Sequence, residues 1–179
     1  MDADDAAFEP VWERCLAVCV TSQVRLVRAL LPALRRSRAG RVVNIASTEG
    51  SGATIFGAAY TAAKHASVGL TRAMAVELGS QGNITCNCIQ PGPVRTGMTG
   101  PIPERQKRLF ARRLVPLRRY GEPREIAQMV LSVCLPASSF VNGSVIAVDG
   151  GVLANNALLP WRLPWEAKAE AGDGGAADC

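Results

Sequence analysis

Apolar runs long enough to cross a membrane are missing from these 179 residues; the nearest, 16–20 and 129–135, are interrupted or flanked by polar side chains. No membrane partner is expected. The N-terminus, MDADDAAFEP, is acidic where a secretory leader would be basic, which makes the cytoplasm the expected location. Histidine occurs once, as His65, and the six cysteines (Cys15, Cys19, Cys86, Cys88, Cys134 and Cys179) lack the spacing of a disulfide framework or a zinc site. No metal site is expected, and the cysteines read as small buried hydrophobes, with Cys179 mobile at the chain end. The basic clusters at 105–108, 112–113 and 118–119 carry no aromatic interleaving, which argues against nucleic acid. A solvated helix face is their simplest reading; the sharper one is a mouth that attracts an anionic substrate or carrier.

What is present is a chain 48% hydrophobic and 20% charged, with a net charge of +5. That composition suits one globular domain with a real core, placed at 1–160. The remainder, 161–179, shifts to Ala, Gly and charge and reads as a flexible tail whose tryptophans, Trp161 and Trp165, could dock on the body. Apolar residues Leu16, Val20, Val24, Val27, Leu30, Leu31 and Leu34 recur at helical spacing, predicting an amphipathic helix over 11–36. RVVNIAS, 41–47, is short and β-branched, as a strand buried on both faces should be. A second helix is expected over 57–78, packing through Ala59, Ala63, Ala66, Leu70, Ala73, Met74 and Leu78. GNITCNCIQPG reads as strand and turn, EPREIAQMVLSVCL as a helix, and GSVIAVDGG as a further strand. Strand and helix alternate, which predicts a parallel α/β sheet with ligands beyond the carboxyl ends of its strands.

In YTAAK, Tyr60 and Lys64 stand four apart, so a phenol and an ammonium leave one helix face and can meet over a shared ligand. Ser47 lies thirteen residues before Tyr60, at the end of a strand, and Asn87, Pro91, Gly92 and Thr96 form an Asn-x-x-x-Pro-Gly-x-x-x-Thr turn. Each has an ordinary explanation: Ser47 as a turn cap, Tyr60 as packing, Thr96 as a capping hydroxyl. Together, in this order and spacing, they resemble the short-chain dehydrogenase/reductase family, particularly its 3-oxoacyl carrier-protein reductase-like members, over residues 12–151.

The resemblance implies an NAD(P)(H)-dependent oxidoreductase acting on a ketone or secondary alcohol, which can be a 3-oxoacyl group on a carrier. In it Tyr60 exchanges a proton with the substrate oxygen, and Lys64 lowers the tyrosine pKa and holds the nicotinamide ribose. Ser47 would hydrogen-bond the substrate. Tyr60, Lys64, Pro91, Gly92, Val94 and Thr96 are the implied cofactor-binding residues. A homo-oligomer through helices 11–36 and 60–78 is implied as well.

Two departures qualify this. The family's Thr-Gly-x-x-x-Gly-x-Gly loop, which seats the cofactor pyrophosphate, has no counterpart in the sequence. The expectation is therefore the C-terminal part of a Rossmann-type doubly wound sheet, its first βαβ units missing, about three strands remaining and the strand at 41–47 bare-edged. Turnover by this chain alone is not expected, and a non-catalytic dimerisation or interaction module is the alternative function. Cys19 also stands where the family has a relay asparagine, which predicts a slower proton relay.

Overall fold

The computed structural model describes residues 5–155, so the tail at 161–179, its tryptophans and Cys179 lie outside the described residues. In chain order the elements are α1 (Asp5–Leu16), α2 (Ser22–Arg36), β1 (Gly40–Ile45), α3 (Ala58–Gly79), β2 (Ile84–Pro91), α4 (Glu104–Leu114), α5 (Pro123–Cys134) and β3 (Val145–Val148). The strands form one parallel sheet in the order β1-β2-β3, with Gly40 opposite Ile84 and Cys88 opposite Val145. β2 is therefore central. Its residues are buried along nearly the whole strand, as the unbroken ITCNCI pattern requires.

One face of the sheet is covered by α3 and α2. Val42, Ile84 and Cys86 from the strands pack with Met74, Ala75 and Leu78 of α3, and Val24, Val27, Leu31 and Leu34 of α2 close the cluster. Two residues expected on the packing side of α3, Ala66 and Ala73, are exposed, while Ser67 and Thr71 are fully buried. Hydrogen bonding makes that burial tolerable. Ser67 Oγ donates to the Cys19 and Ala63 carbonyls, and Thr71 Oγ1 donates to the Ser67 carbonyl while accepting from Asn44 Nδ2.

The helix expected over 11–36 begins earlier and is broken. A wide π-helical turn, Ala17–Thr21, separates α1 from α2. Periodicity alone does not reveal such a turn, because one inserted residue only shifts the apolar stripe. By length and composition alone the stretch Phe8–Arg36 passes for a membrane span, as the core helix of a soluble protein also can, and its α2 part packs on the sheet. Averaging over a window brings this out where counting unbroken apolar runs does not. The cysteine expectation also holds only in part: Cys86 and Cys88 are buried, whereas Cys15, Cys19 and Cys134 are partly exposed. Burial, with Cys88 alongside, pushes the Cys86 thiol up to about 12.

The arginine-rich stretch before Leu117, read from sequence as a solvated helix face or an anion-attracting mouth, contains the helix α4. Arg105, Arg108, Arg112 and Arg113 are exposed on it, while Lys107 is buried against Glu104 at 3.0 Å. Arg95 and Lys107 hold the Glu104 carboxyl down to about 2. Arg119 is likewise engaged, bonding both oxygens of Glu125 at 2.7 Å.

Asn87 joins β2 to the segment before β3. Its Nδ2 donates to the Val141 carbonyl at 2.8 Å and its Oδ1 accepts from the Ser144 amide at 3.0 Å, inside a site 1% exposed. Replacing it by alanine strands a buried carbonyl and a buried amide. Asn87→Ala should cost about 2–4 kcal/mol in urea unfolding, with the slope of the transition unchanged.

Candidate active site

The carboxyl ends of β1 and β2 and the first turns of α3 enclose a cavity of about 850 Å3. Of the residues singled out in the sequence, Ser47, Tyr60, Lys64, Pro91, Gly92, Val94 and Thr96 line it, whereas Asn87 and Cys19 do not. Met98, Phe110, Leu114 and Val152 supply apolar wall.

Ser47 follows β1 in an extended conformation and caps the turn Thr48–Gly50, its Oγ accepting from the Glu49 amide at 3.2 Å. The ordinary reading of this serine as a cap is thus correct as well. Tyr60 and Lys64 rise from the N-terminal part of α3, with Lys64 Nζ 5.4 Å from the centre of the Tyr60 ring. Lys64 is 9% exposed, and its ammonium donates to the Ile45 carbonyl at 3.0 Å. The expected lowering of the tyrosine pKa is absent. Burial pushes the Tyr60 phenol above its ordinary 10.0; hydrogen bonding from Ser47 pulls it back, and Cys19, Glu49 and Cys15 push it further up. The reason is geometric: the Lys64 charge lies over the ring and is spent on Ile45.

Several residues that shape the cavity went unnoticed in the sequence. Glu49 accepts from Thr61 Oγ1 at 2.6 Å and from Thr54 Oγ1, tying the loop after β1 to the start of α3. Gln90 Nε2 donates to Ser51 Oγ at 2.9 Å, fastening that loop to β2. Ser67, through its 2.8 Å bond to the Cys19 carbonyl, holds the π-helical turn against α3. The acid four residues beyond a strand's end was the only available signal for Glu49. Ser67 and Gln90 had none, because they act across the fold.

On the far side, Pro91 ends β2 and the Gly92 amide donates to the Val148 carbonyl at 3.1 Å. A Cβ at Gly92 would lie 2.7–2.9 Å from Cα, Cβ and the carbonyl oxygen of Asp149, so only glycine fits. Val94 is buried and bridges Gly121, and its carbonyl accepts from Thr99 Oγ1 at 2.8 Å. Thr99 Oγ1 also accepts from the amide of Thr96, whose side chain is left exposed at the rim. The donors facing the cavity, an ammonium and a turn with exposed polar groups, fit the nicotinamide end of a dinucleotide. A phosphate-binding glycine loop is absent from the described residues.

Because the protonated phenol is favoured in the fold, Tyr60 adds stability that is complete below pH 10 and falls as pH rises beyond it. In a Tyr120→Phe background, phenolate absorbance should show Tyr60 titrating above 10.0. Ser47→Ala should move the midpoint higher still, since it removes the one nearby group that lowers it.

A family model described as enoyl-(acyl carrier protein) reductase matches residues 7–153. The 3-oxoacyl-[acyl-carrier-protein] reductase of Vibrio cholerae is 34% identical over 144 residues, covering 80% of this chain and 58% of that protein. A 3-alpha-(or 20-beta)-hydroxysteroid dehydrogenase of Mycobacterium bovis is 37% identical over 143 residues, covering 80% and 52%. Among solved structures, a gluconate 5-dehydrogenase of Burkholderia cenocepacia in complex with NADP and tartrate superposes with a TM-score of 0.78 at 27% identity, covering 86% of this chain and 61% of that one. The chain thus spans a little over half the length of the relatives it matches. With catalytic-type residues, parallel sheet and relatives in agreement, this chain belongs to the short-chain dehydrogenase/reductase family.

Proposed function

We propose that these residues form the catalytic part of an NAD(P)(H)-dependent oxidoreductase that interconverts a ketone and a secondary alcohol. The observation that carries this reading is the convergence of Ser47, Tyr60, Lys64, Pro91, Gly92, Val94 and Thr96 on one cavity. Bound there, the cofactor would supply or accept the hydride. Lys64 would hold its ribose, and Thr96 with the turn after Pro91 its carboxamide. In the reducing direction the Tyr60 hydroxyl gives its proton to the substrate oxygen, and Ser47 hydrogen-bonds that oxygen to fix its approach. The phenolate so formed is costly in a buried site. Its relief would come from Lys64 leaving the Ile45 carbonyl for the phenolate oxygen. Cys19, whose carbonyl is already engaged by Ser67, offers this relay only a weakly hydrogen-bonding thiol.

Within this class, an acyl chain bearing a 3-oxo group suits the cavity best. Met98, Phe110, Leu114 and Val152 make part of its wall apolar, and the exposed arginines of α4 stand at hand for an acidic carrier. Several relatives are 3-oxoacyl reductases by name. A second reading, a dimerising or interaction module without turnover, draws on the exposed Val11, Val18, Leu26 and Leu30 along the first helices and Val76 on α3. The same surfaces serve the oligomer expected through helices 11–36 and 60–78.

Two outcomes are expected. Calorimetry with NADPH and NADH on the 179 residues alone should show no saturable low-micromolar binding, because their sequence carries no glycine-rich loop of the kind that seats the pyrophosphate. Saturable binding with turnover would overturn that. When the chain is fused to the part of the Vibrio cholerae reductase outside its match, Tyr60→Phe should lower ketone reduction by about 100-fold or more at unchanged NADPH affinity. Lys64→Ala should weaken both. Turnover of Tyr60→Phe equal to the parent would remove the proton-donor role.

A further inference from the structure

α1 runs into α2 through the wide turn Ala17–Thr21, closed where the Ser22 amide donates to the Ala17 carbonyl. Two side chains fix that turn: Ser22 Oγ donates to the Val18 carbonyl at 2.6 Å, and Ser67 Oγ to that of Cys19 at 2.8 Å. Cys15 stands in the last turn of α1 and Cys19 in the middle of the wide turn. In a regular helix, residues four apart overshoot one another by about 40°. Their Cβ atoms stay about 5–6 Å apart, beyond the about 3.5–4.5 Å that a disulfide spans. A turn closed one residue later rotates less and rises less per residue, because the same length of chain is wound on a wider circle. Both changes carry Cys19 toward Cys15. The break in the helix thus gives a bridging geometry to two thiols whose spacing alone is unsuitable for one.

Cys86 and Cys88 are buried in β2, whereas Cys15 and Cys19 are partly exposed, within reach of a small oxidant. They also neighbour the active site. Burial raises the Tyr60 phenol above its ordinary 10.0 against an opposing hydrogen bond from Ser47, and Cys19, Glu49 and Cys15, in that order, add to the rise. Both thiols therefore lie within electrostatic reach of the phenol.

We infer that Cys15 and Cys19 form a modification site, a dithiol that a hydroperoxide closes to a disulfide beside Tyr60. One thiol loses its proton and attacks a peroxide oxygen, breaking the O–O bond to leave a sulfenic acid and, from hydrogen peroxide, a water. The second thiol attacks the sulfenic sulfur and displaces its hydroxyl as a second water. The dithiol gives up two electrons and one hydrogen peroxide takes them up. The bridge carries neither charge nor S–H, so the surroundings of Tyr60 lose two groups able to hold negative charge, and a thiol reductant restores them. An effect on turnover rests on the oxidoreductase reading; the bridge itself does not.

The test oxidises the reduced 179-residue chain with stoichiometric hydrogen peroxide, in a Tyr120→Phe background that leaves Tyr60 as the one tyrosine to titrate. Trypsin cuts after Arg14 and Arg25, so both cysteines fall in one peptide, 15–25. That peptide should be two hydrogens lighter and closed to alkylation, and dithiothreitol should reopen it. Phenolate absorbance should show the Tyr60 midpoint falling when the pair closes, since the disulfide adds no negative charge near the phenol. Cys15→Ser should yield neither a closed peptide nor a fall on the same treatment. Oxidation that stops at a sulfenic or sulfinic acid, pairing of either cysteine with Cys134 or with another chain, or closure that leaves the Tyr60 midpoint in place would each overturn the inference. Neither readout involves hydride transfer, so a chain that closes the pair and, completed by the missing part of the Vibrio cholerae reductase, reduces no ketone counts against the oxidoreductase reading alone.

Discussion

Burial of β2 is the constraint from which the rest of the structure follows. The strand is flanked on both sides and enclosed on both faces, yet it carries Thr85, Asn87 and Gln90. Polar side chains in such a place must be answered by partners elsewhere. Asn87 is answered by residues 141 and 144 and Gln90 by Ser51, so satisfying the strand also fixes the segment before β3 and the loop after β1. Thr85 Oγ1 is the exception on this strand, buried and unpaired. The cavity walls are consequences of how the central strand satisfies its polar groups.

Ser67 plays the corresponding part on the helical side. A hydroxyl buried completely within α3 reaches out of its own helix to the carbonyl of Cys19. A carbonyl in a regular helix is already engaged by the amide four residues on; the π-helical turn changes that pairing. The turn and the serine belong together, and they bring Cys15 and Cys19 near enough to Tyr60 to affect its ionisation.

The strands and α3 were legible because their signals are local: an unbroken β-branched run, helical spacing of small residues, and Ser47, Tyr60 and Lys64 at fixed intervals. The cavity residues were legible as a set for the same reason. What escaped depends on atoms distant in sequence. Ser67 and Thr71 look like surface residues until their partners in the π-helical turn and β1 are known, while Ala66 and Ala73 look like core. The break between α1 and α2 leaves the apolar stripe nearly in phase. The raised Tyr60 pKa could not be inferred from the four-residue spacing to Lys64, because spacing brings a charge near a ring without deciding which oxygen it serves.

The contact between Gly92 and Asp149 joins two stretches far apart in the chain. Asp149 accepts from the amides of Gly151 and Leu153, and Val152 in the same turn lines the cavity. The floor beneath the catalytic-type residues is therefore laid by the last strand and its closing turn, long after Tyr60 has left the ribosome. During synthesis Tyr60 and Lys64 exist before their pocket does, and the pocket takes shape only when the chain returns to the glycine left vacant for it.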